Sequence, residues 1–230
     1  MDELNSPAFR SFMAWVNAFA QVHGLRIHTN WSKVWEYPWA WQHLSQLHFP
    51  GLKILDIGSE LSPMPWFFAS LGAEVWMVET ERAHLPKWQE LKDRQGFAVH
   101  WDLISGPRLP MARETFDLVT SFSVIEHITD KQAALEEVVR VLKPGGLFCL
   151  TFDICEPSRG MTFPEWNGRA LDLESFERFL WRRQDLHPLD PLAAWNIQDI
   201  EAFLQWHLQS ESYHNYVVGG AVFRNQKRIG

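Results

Sequence analysis

From residue 52 the chain alternates short apolar runs with longer amphipathic stretches, which is how βαβ units read in a sequence. LKILDIG (52–58) has the composition of a buried strand. Ser62-Pro63 then opens a helix, with Ser as N-cap and Pro in the first turn, running to about Leu71 before Gly72 stops it. EVWMVE (74–79) is a second strand, a helix spans about 84–94, and FAVHWDL (97–103) is a third strand. Gly106-Pro107 and Pro110 mark a loop or a broken short helix. FDLVTSFSVIEH (116–127) holds the fourth strand and its exit loop. Asp130 is placed to cap the next helix, whose Ala134, Leu135, Val138, Val139, Val141 and Leu142 keep a helical period. Lys143-Pro144-Gly145-Gly146 is expected to break that helix before a fifth strand, LFCLTFDI (147–154).

Beyond this the alternation weakens. Residues 155–170 are rich in Pro, Gly and Ser and read as a long loop, which in a compact domain is usually functional. A helix over 172–183 carries Leu173, Phe176, Phe179 and Leu180 on one face. Residues 185–195, with Pro188 and Pro191, allow at most a short edge strand. Asn196 caps a helix over about 197–209, and NYVVGGAVF (215–223) is the last strand. The pattern predicts one α/β domain over 49–230, preceded by a helical N-terminal extension over 1–48.

Composition excludes several classes. With 230 residues, a formal charge of −7 and 46% hydrophobic residues, the chain is ordinary for a soluble globular protein. No apolar run approaches the roughly 18 residues of a membrane span, and MDELNSPAFR opens acidic rather than with a basic, then apolar, leader. A cytoplasmic protein without a membrane partner is expected. Cys149 and Cys155 stand at neither disulfide-framework nor zinc spacing, so no metal is expected. The acidic balance disfavours nucleic acid, because phosphate contacts need clustered Lys and Arg. One number is odd: 13 Trp against 3 Tyr.

In an open parallel sheet, ligands bind beyond the carboxyl ends of the strands, near the topological switch point. Here those ends carry Asp56, Gly58, Ser59 and Glu60, then Glu79, then Asp102, then Ser121 to His127. The three acids Asp56, Glu79 and Asp102 stand 23 residues apart in turn. A carboxylate after the second strand suits the two hydroxyls of a ribose. A dinucleotide loop would read GxGxxG, yet only Gly58 is present and Glu60 sits where the second glycine would be. A phosphate is disfavoured there, whereas a phosphate-free nucleoside with a cationic end, such as S-adenosylmethionine, is tolerated.

The stretches 53–79, WDL (101–103), FDLVTSFSVIEHI (116–128) and LKPGGLFCLTFD (142–153) resemble, in order and spacing, the class I S-adenosylmethionine-dependent methyltransferases, and YVVGGAVFRN resembles their last strand. The resemblance implies a Rossmann-like, doubly wound, mostly parallel seven-stranded sheet with an antiparallel last strand. It also implies that Gly58 lets backbone approach the amino-acid tail of the cofactor, and that Glu79, with Thr80 beside it, binds the ribose. Asp102 and Leu103 would meet the adenine, and Ser121 and Phe122 the methionine portion. The family's DxGxGxG motif is altered at Glu60 and Ser62. Glu60 either reaches the cofactor's ammonium or points to solvent with only its backbone in contact, or else the altered loop no longer binds cofactor. Asp56 reads as an organiser of the loop amides.

Glu126 and His127 follow the fourth strand and could reach the transferred methyl; His127 is the candidate general base, against a structural histidine and against base-free transfer by proximity and alignment. HTNWSKVWEYPWAWQHL (28–44) is where a substrate cap is expected, and its Lys33, Trp35, Glu36, Tyr37 grouping resembles a segment that precedes the core in small-molecule members of the family. Its aromatics either seal the extension onto the sheet or, through Trp31 and Tyr37, wall the acceptor pocket, with Phe163 and Trp166 completing it. The expected activity is methyl transfer to a small-molecule acceptor. The alternative is an inactive binding or scaffold protein of the same fold.

Overall fold

The computed structural model describes residues 6–154, 171–189 and 216–226. Two helices, α1 (Pro7–His23) and α2 (Trp31–Leu44), precede the sheet. Then follow β1 (Lys53–Ile57), α3 (Pro63–Ser70), β2 (Glu74–Glu79), α4 (Leu85–Gln95), β3 (Val99–Leu103), β4 (Phe116–Phe122), α5 (Lys131–Val141) and β5 (Leu142–Ile154). The last described elements are α6 (Leu173–Phe176), β6 (Leu186–Pro188) and β7 (Val217–Asn225).

The strands lie in the order β3-β2-β1-β4-β5-β7-β6. The first five are parallel, and β7 runs antiparallel to both β5 and β6. Strand order reverses between β1 and β4, whose ends meet where Ile57 pairs with Ser121. A crevice opens at that reversal in folds of this kind.

Helix starts follow the sequence cues. Ser62 accepts from the Met64 amide at the head of α3, and Asp130 accepts from the Ala133 amide at the head of α5. Two expectations need correction. Lys143-Pro144-Gly145-Gly146 does not separate helix from strand; it lies inside β5 as a bulge, since Phe116 pairs with Leu142 while Leu118 pairs with Leu147. Gly145, at φ +81°, takes the left-handed bend the bulge needs. The helix foreseen over 172–183 is a single α turn that widens into a π turn at Glu177–Trp181. The helix expected over 197–209 falls outside the described residues.

Each face of the sheet has its own apolar core. Ile54, Met77, Leu118 and Cys149 face α1, α2 and α3, while Leu55, Val78, Val119 and Phe148 face α5. The N-terminal helices therefore share the first core. Tryptophan makes that seam: Trp41 stacks on Phe12 and meets Phe67 edge-on, Trp15 meets Phe67 edge-on at 4.4 Å, and Trp35 stacks on Trp39. Trp39 in turn packs against β7. A Cβ at Gly220 would come within 2.6 to 2.8 Å of three atoms of its ring. The Cys149 thiol is buried, and burial pushes its pKa up, as expected for an inert core thiol. No helix among the described residues is long and apolar enough to cross a membrane.

Candidate active site

Gly58 follows β1 at φ +74°, with its amide donating to the Val78 carbonyl at 2.9 Å. A Cβ there would stand 2.5 Å from Val124, so both the backbone and the contact call for glycine. Glu60 is also left-handed, at φ +41°. It occupies the conformation a glycine would take at a cost of roughly 1–2 kcal/mol. Backbone bonds hold it: its amide donates to Glu79 Oε2 at 3.1 Å, and its carbonyl accepts the buried Trp88 indole N–H at 2.7 Å. Its side chain is half-exposed and paired with Arg26, which fits the solvent-pointing alternative.

Glu79 is buried at the end of β2. Its Oε1 accepts from the Thr80 amide at 2.7 Å and the Thr80 hydroxyl at 3.2 Å, while Oε2 holds the Glu60 amide. One carboxylate thus shapes the turn after β1 and the turn after β2, and each oxygen retains acceptor capacity. Asp102 is exposed and lies across from Val78, with Leu103 across from Glu79, so both sit one strand further out at the same end of the sheet.

Asp56 is buried beneath the loop. Its Oδ2 accepts from Ser59 Oγ and its Oδ1 from Thr120 Oγ1, both at 2.6 Å. It therefore organises hydroxyls rather than loop amides, and clasps β1 to β4. Burial, with a smaller push from Glu79, raises its pKa to about 6 against the pull of the two hydroxyls.

Tyr37 is 1% exposed on α2. Its ring meets Phe122 edge-on, and its hydroxyl lies 3.1 Å from Ser62 Oγ and 3.3 Å from His28 Nε2. Burial, then Lys33 and Arg26, push His28 down to about 4, so that histidine is neutral. The extension thus touches both the helix after the β1 loop and the end of β4. The side chain of Trp31, and Phe163 and Trp166 altogether, lie outside the described residues.

The second group of polar residues gathers where β4 and β5 end, and the sequence signals only part of it. Lys33 Nζ donates to Glu36 Oε2 at 2.8 Å and to the Phe122 carbonyl at 3.1 Å. Glu36, wholly buried, also accepts from Ser123 Oγ at 2.9 Å and Thr151 Oγ1 at 2.7 Å. Burial pulls the Lys33 ammonium down, but Glu36 more than reverses this and keeps it charged. Ser123 is left-handed at φ +56°, a strained position fixed by its bonds to Glu36 and Thr151.

Glu126 and Asp153 complete this group, each about 1–2% exposed. Neither carboxylate oxygen of Glu126 has a hydrogen-bond partner among the described residues. Its own amide and that of Asp153 lie close enough to favour the anion without meeting hydrogen-bond geometry. Burial pushes Glu126 up to about 7, with Glu36 adding to it and Lys33 opposing; burial and Glu126 likewise raise Asp153. His127, on the same turn, is half-buried, and burial, Lys131 and Lys33 lower its pKa, which favours the neutral, proton-accepting ring. The sequence marks Lys33 and Glu36 only as part of a family-like grouping, without a role, and does not single out Asp153; the Lys-x-x-Glu spacing on one helix face is the further signal available.

Residues 55–150 match the family described as methyltransferase domain. The ubiquinone biosynthesis O-methyltransferase of Cereibacter sphaeroides is 34% identical over 128 residues, 54% of this chain and 52% of that protein. The ubiquinone/menaquinone biosynthesis C-methyltransferase of Bordetella parapertussis is 27% identical over 193 residues, 79% of this chain and 72% of that protein. The chain spans about half the length of the first of these curated relatives. A putative sarcosine dimethylglycine methyltransferase from Galdieria sulphuraria superposes with a TM-score of 0.64 at 18% identity, covering 83% of this chain and 84% of that one, which shows a common fold. Residues 55–150 are thus similar to a methyltransferase domain, and the β3-β2-β1-β4-β5-β7-β6 sheet carries the fold shared with that solved structure.

Proposed function

We propose that this protein transfers the methyl group of S-adenosylmethionine to a small-molecule acceptor. The observation that carries the reading is Glu79: a buried carboxylate at the end of β2 that orders the turns after both β1 and β2 and keeps acceptor capacity on each oxygen. The residues present fit this cofactor. The loop after β1 turns its Glu60 amide inward to a carboxylate and offers no cation to a phosphate, which suits a nucleoside with a positive sulfonium.

On this reading Glu79 and Thr80 hold the ribose, and Asp102 and Leu103 flank the adenine. Gly58, Ser59 and the Glu60 backbone line the amino-acid tail over Asp56, while Ser121 and Phe122 close the methionine side. When bound, the cofactor supplies a methyl that the acceptor takes as the sulfur–carbon bond breaks, leaving a neutral thioether. Tyr37 and the extension over 1–48 cover the acceptor and exclude water. His127 and Glu126 are the proton acceptors beside it, used where the nucleophile must lose a proton.

Calorimetry with S-adenosylmethionine and S-adenosylhomocysteine tests the reading. Saturable heat with both, followed by methylated product from a panel of phenols, amines and carbon acids, is the expected result. No heat with either ligand on pure folded protein sinks it, and binding without turnover across the panel would favour the inactive alternative.

A further inference from the structure

We infer that the acceptor is a cationic amine, whose ammonium docks between Glu126 and Asp153 and passes a proton to Glu126. This names the substrate class of the proposed methyl-transfer site and rests on that reading. Glu36, Glu126 and Asp153 are three buried carboxylates gathered around one ammonium, that of Lys33. Lys33 is engaged by Glu36 and the Phe122 carbonyl, and Glu36 is further satisfied by Ser123 and Thr151. The Lys131 ammonium donates to the carbonyl oxygens of Glu126 and Ile128. Glu126 is left 1% exposed with both oxygens unpartnered among the described residues.

The amides of Glu126 and Asp153 stand near this carboxylate but out of hydrogen-bond geometry, and native interiors rarely leave a buried carboxylate so poorly served without a reason. The missing element is a donor carrying positive charge. An anionic acceptor would meet two carboxylates and find the nearby cation already bound. No three of the described His, Cys, Asp and Glu side chains are arranged to hold a metal ion, so an organic cation fits the site better. The surroundings of Lys33 are aromatic, with its ammonium 5.8 Å from the Tyr37 ring and that ring 5.6 Å from Phe122, which suits an apolar body behind the charge. An ammonium has no lone pair to attack with. Moving one N–H proton to a Glu126 oxygen leaves a neutral amine with its lone pair free and a neutral carboxylic acid, which returns the proton to solvent after the product leaves. Thus the carboxylate that attracts the cation also prepares the nucleophile.

The test uses three probes with one aromatic body and different ends: 2-phenylethylamine, 2-phenylethanol and 3-phenylpropionate. Each is titrated by calorimetry into the protein saturated with S-adenosylhomocysteine. The amine should bind at least tenfold more tightly than the alcohol, and the carboxylate should show no binding. Glu126→Gln should abolish the amine's preference while leaving alcohol binding and S-adenosylhomocysteine affinity within twofold. Asp153→Asn should weaken the amine in the same sense and serves if the first variant fails to fold. Equal binding of amine and alcohol, tighter binding of the carboxylate, no binding of the amine, or an amine preference that survives both substitutions overturns the inference. Loss of S-adenosylhomocysteine binding in the unaltered protein would instead strike the methyl-transfer reading, so the two failures are separable.

Discussion

The two halves of the strand-end crevice treat buried carboxylates in opposite ways. At the ends of β1 and β2, each of the four oxygens of Asp56 and Glu79 accepts a hydrogen bond from the protein. At the ends of β4 and β5, Glu126 accepts none among the described residues. Both halves sit on the same sheet with their carboxylates buried, so burial alone does not explain the contrast. The first half is finished before any ligand arrives: its carboxylates serve as internal struts, and spare lone pairs are what a ligand would use. The second half has one closed pair, Lys33 with Glu36, and beside it two carboxyl groups, Glu126 and Asp153, whose pKa values burial raises.

The largest expected effect breaks the first half alone. Glu79→Ala removes the acceptor of the Glu60 and Thr80 amides, and two charge-assisted bonds of about 1.5–3 kcal/mol each are at stake. S-adenosylhomocysteine affinity should fall about a hundredfold by calorimetry, while 2-phenylethylamine still binds. Next is Thr120→Val, which deprives Asp56 Oδ1 of its partner in a buried site. A loss of about 1–3 kcal/mol in urea unfolding is expected, and an unchanged midpoint would remove the β1–β4 clasp from the comparison.

A smaller effect, of opposite sign, sharpens the second half. The folded protein raises the Glu126 pKa from an ordinary 4.5 to about 7. Between those values the native state holds a proton that the unfolded chain releases, so this group's contribution to stability falls as pH rises from about 4.5 to about 7 and is level above. Asp153 titrates with it as a pair. Relative to the unaltered protein, Glu126→Gln should flatten that decline and raise the melting temperature at pH 8. The neutral, buried His28 is common to both proteins, so its own acid destabilisation below about pH 6.5 cancels in the difference. A lower melting temperature in the variant at pH 8 would mean that Glu126 is already satisfied. The least effect comes from Arg26→Ala: the Arg26–Glu60 pair is half-exposed, so stability should change by about 0.5 kcal/mol or less, with cofactor affinity intact.

The half that is complete is also the half legible in the sequence. Its residues close consecutive strands, and Asp56, Gly58 and Glu79 fall where strand periodicity ends. The altered glycine motif looked like a change of chemistry, but Glu60 keeps a glycine's backbone conformation and turns its charge outward to Arg26. A one-letter code carries no dihedral angle, so that outcome was open. The other half is assembled across long stretches of chain. Lys33 meets the Phe122 carbonyl across 89 residues, and Glu36 meets Thr151 across 115. No local periodicity reports such pairs. The bulge in β5 was hidden for a related reason: Lys-Pro-Gly-Gly is ordinary helix-terminating composition, and only pairing with β4 turns it into part of a strand.

Trp15, Trp35, Trp39 and Trp41 form the seam between α1, α2 and the sheet, the sealing alternative of the two that the sequence left open for the N-terminal aromatics. The contact between Trp39 and Gly220 has a bearing on exchange between relatives. The helix that carries Lys33, Glu36 and Tyr37 beds its indole on a strand position where even a methyl group would intrude. A chimera that moves residues 1–48 onto another sheet of this fold therefore has to bring a glycine at the position of Gly220 as well. The extension and the last strand behave as one inheritable unit, although nearly the whole sequence separates them.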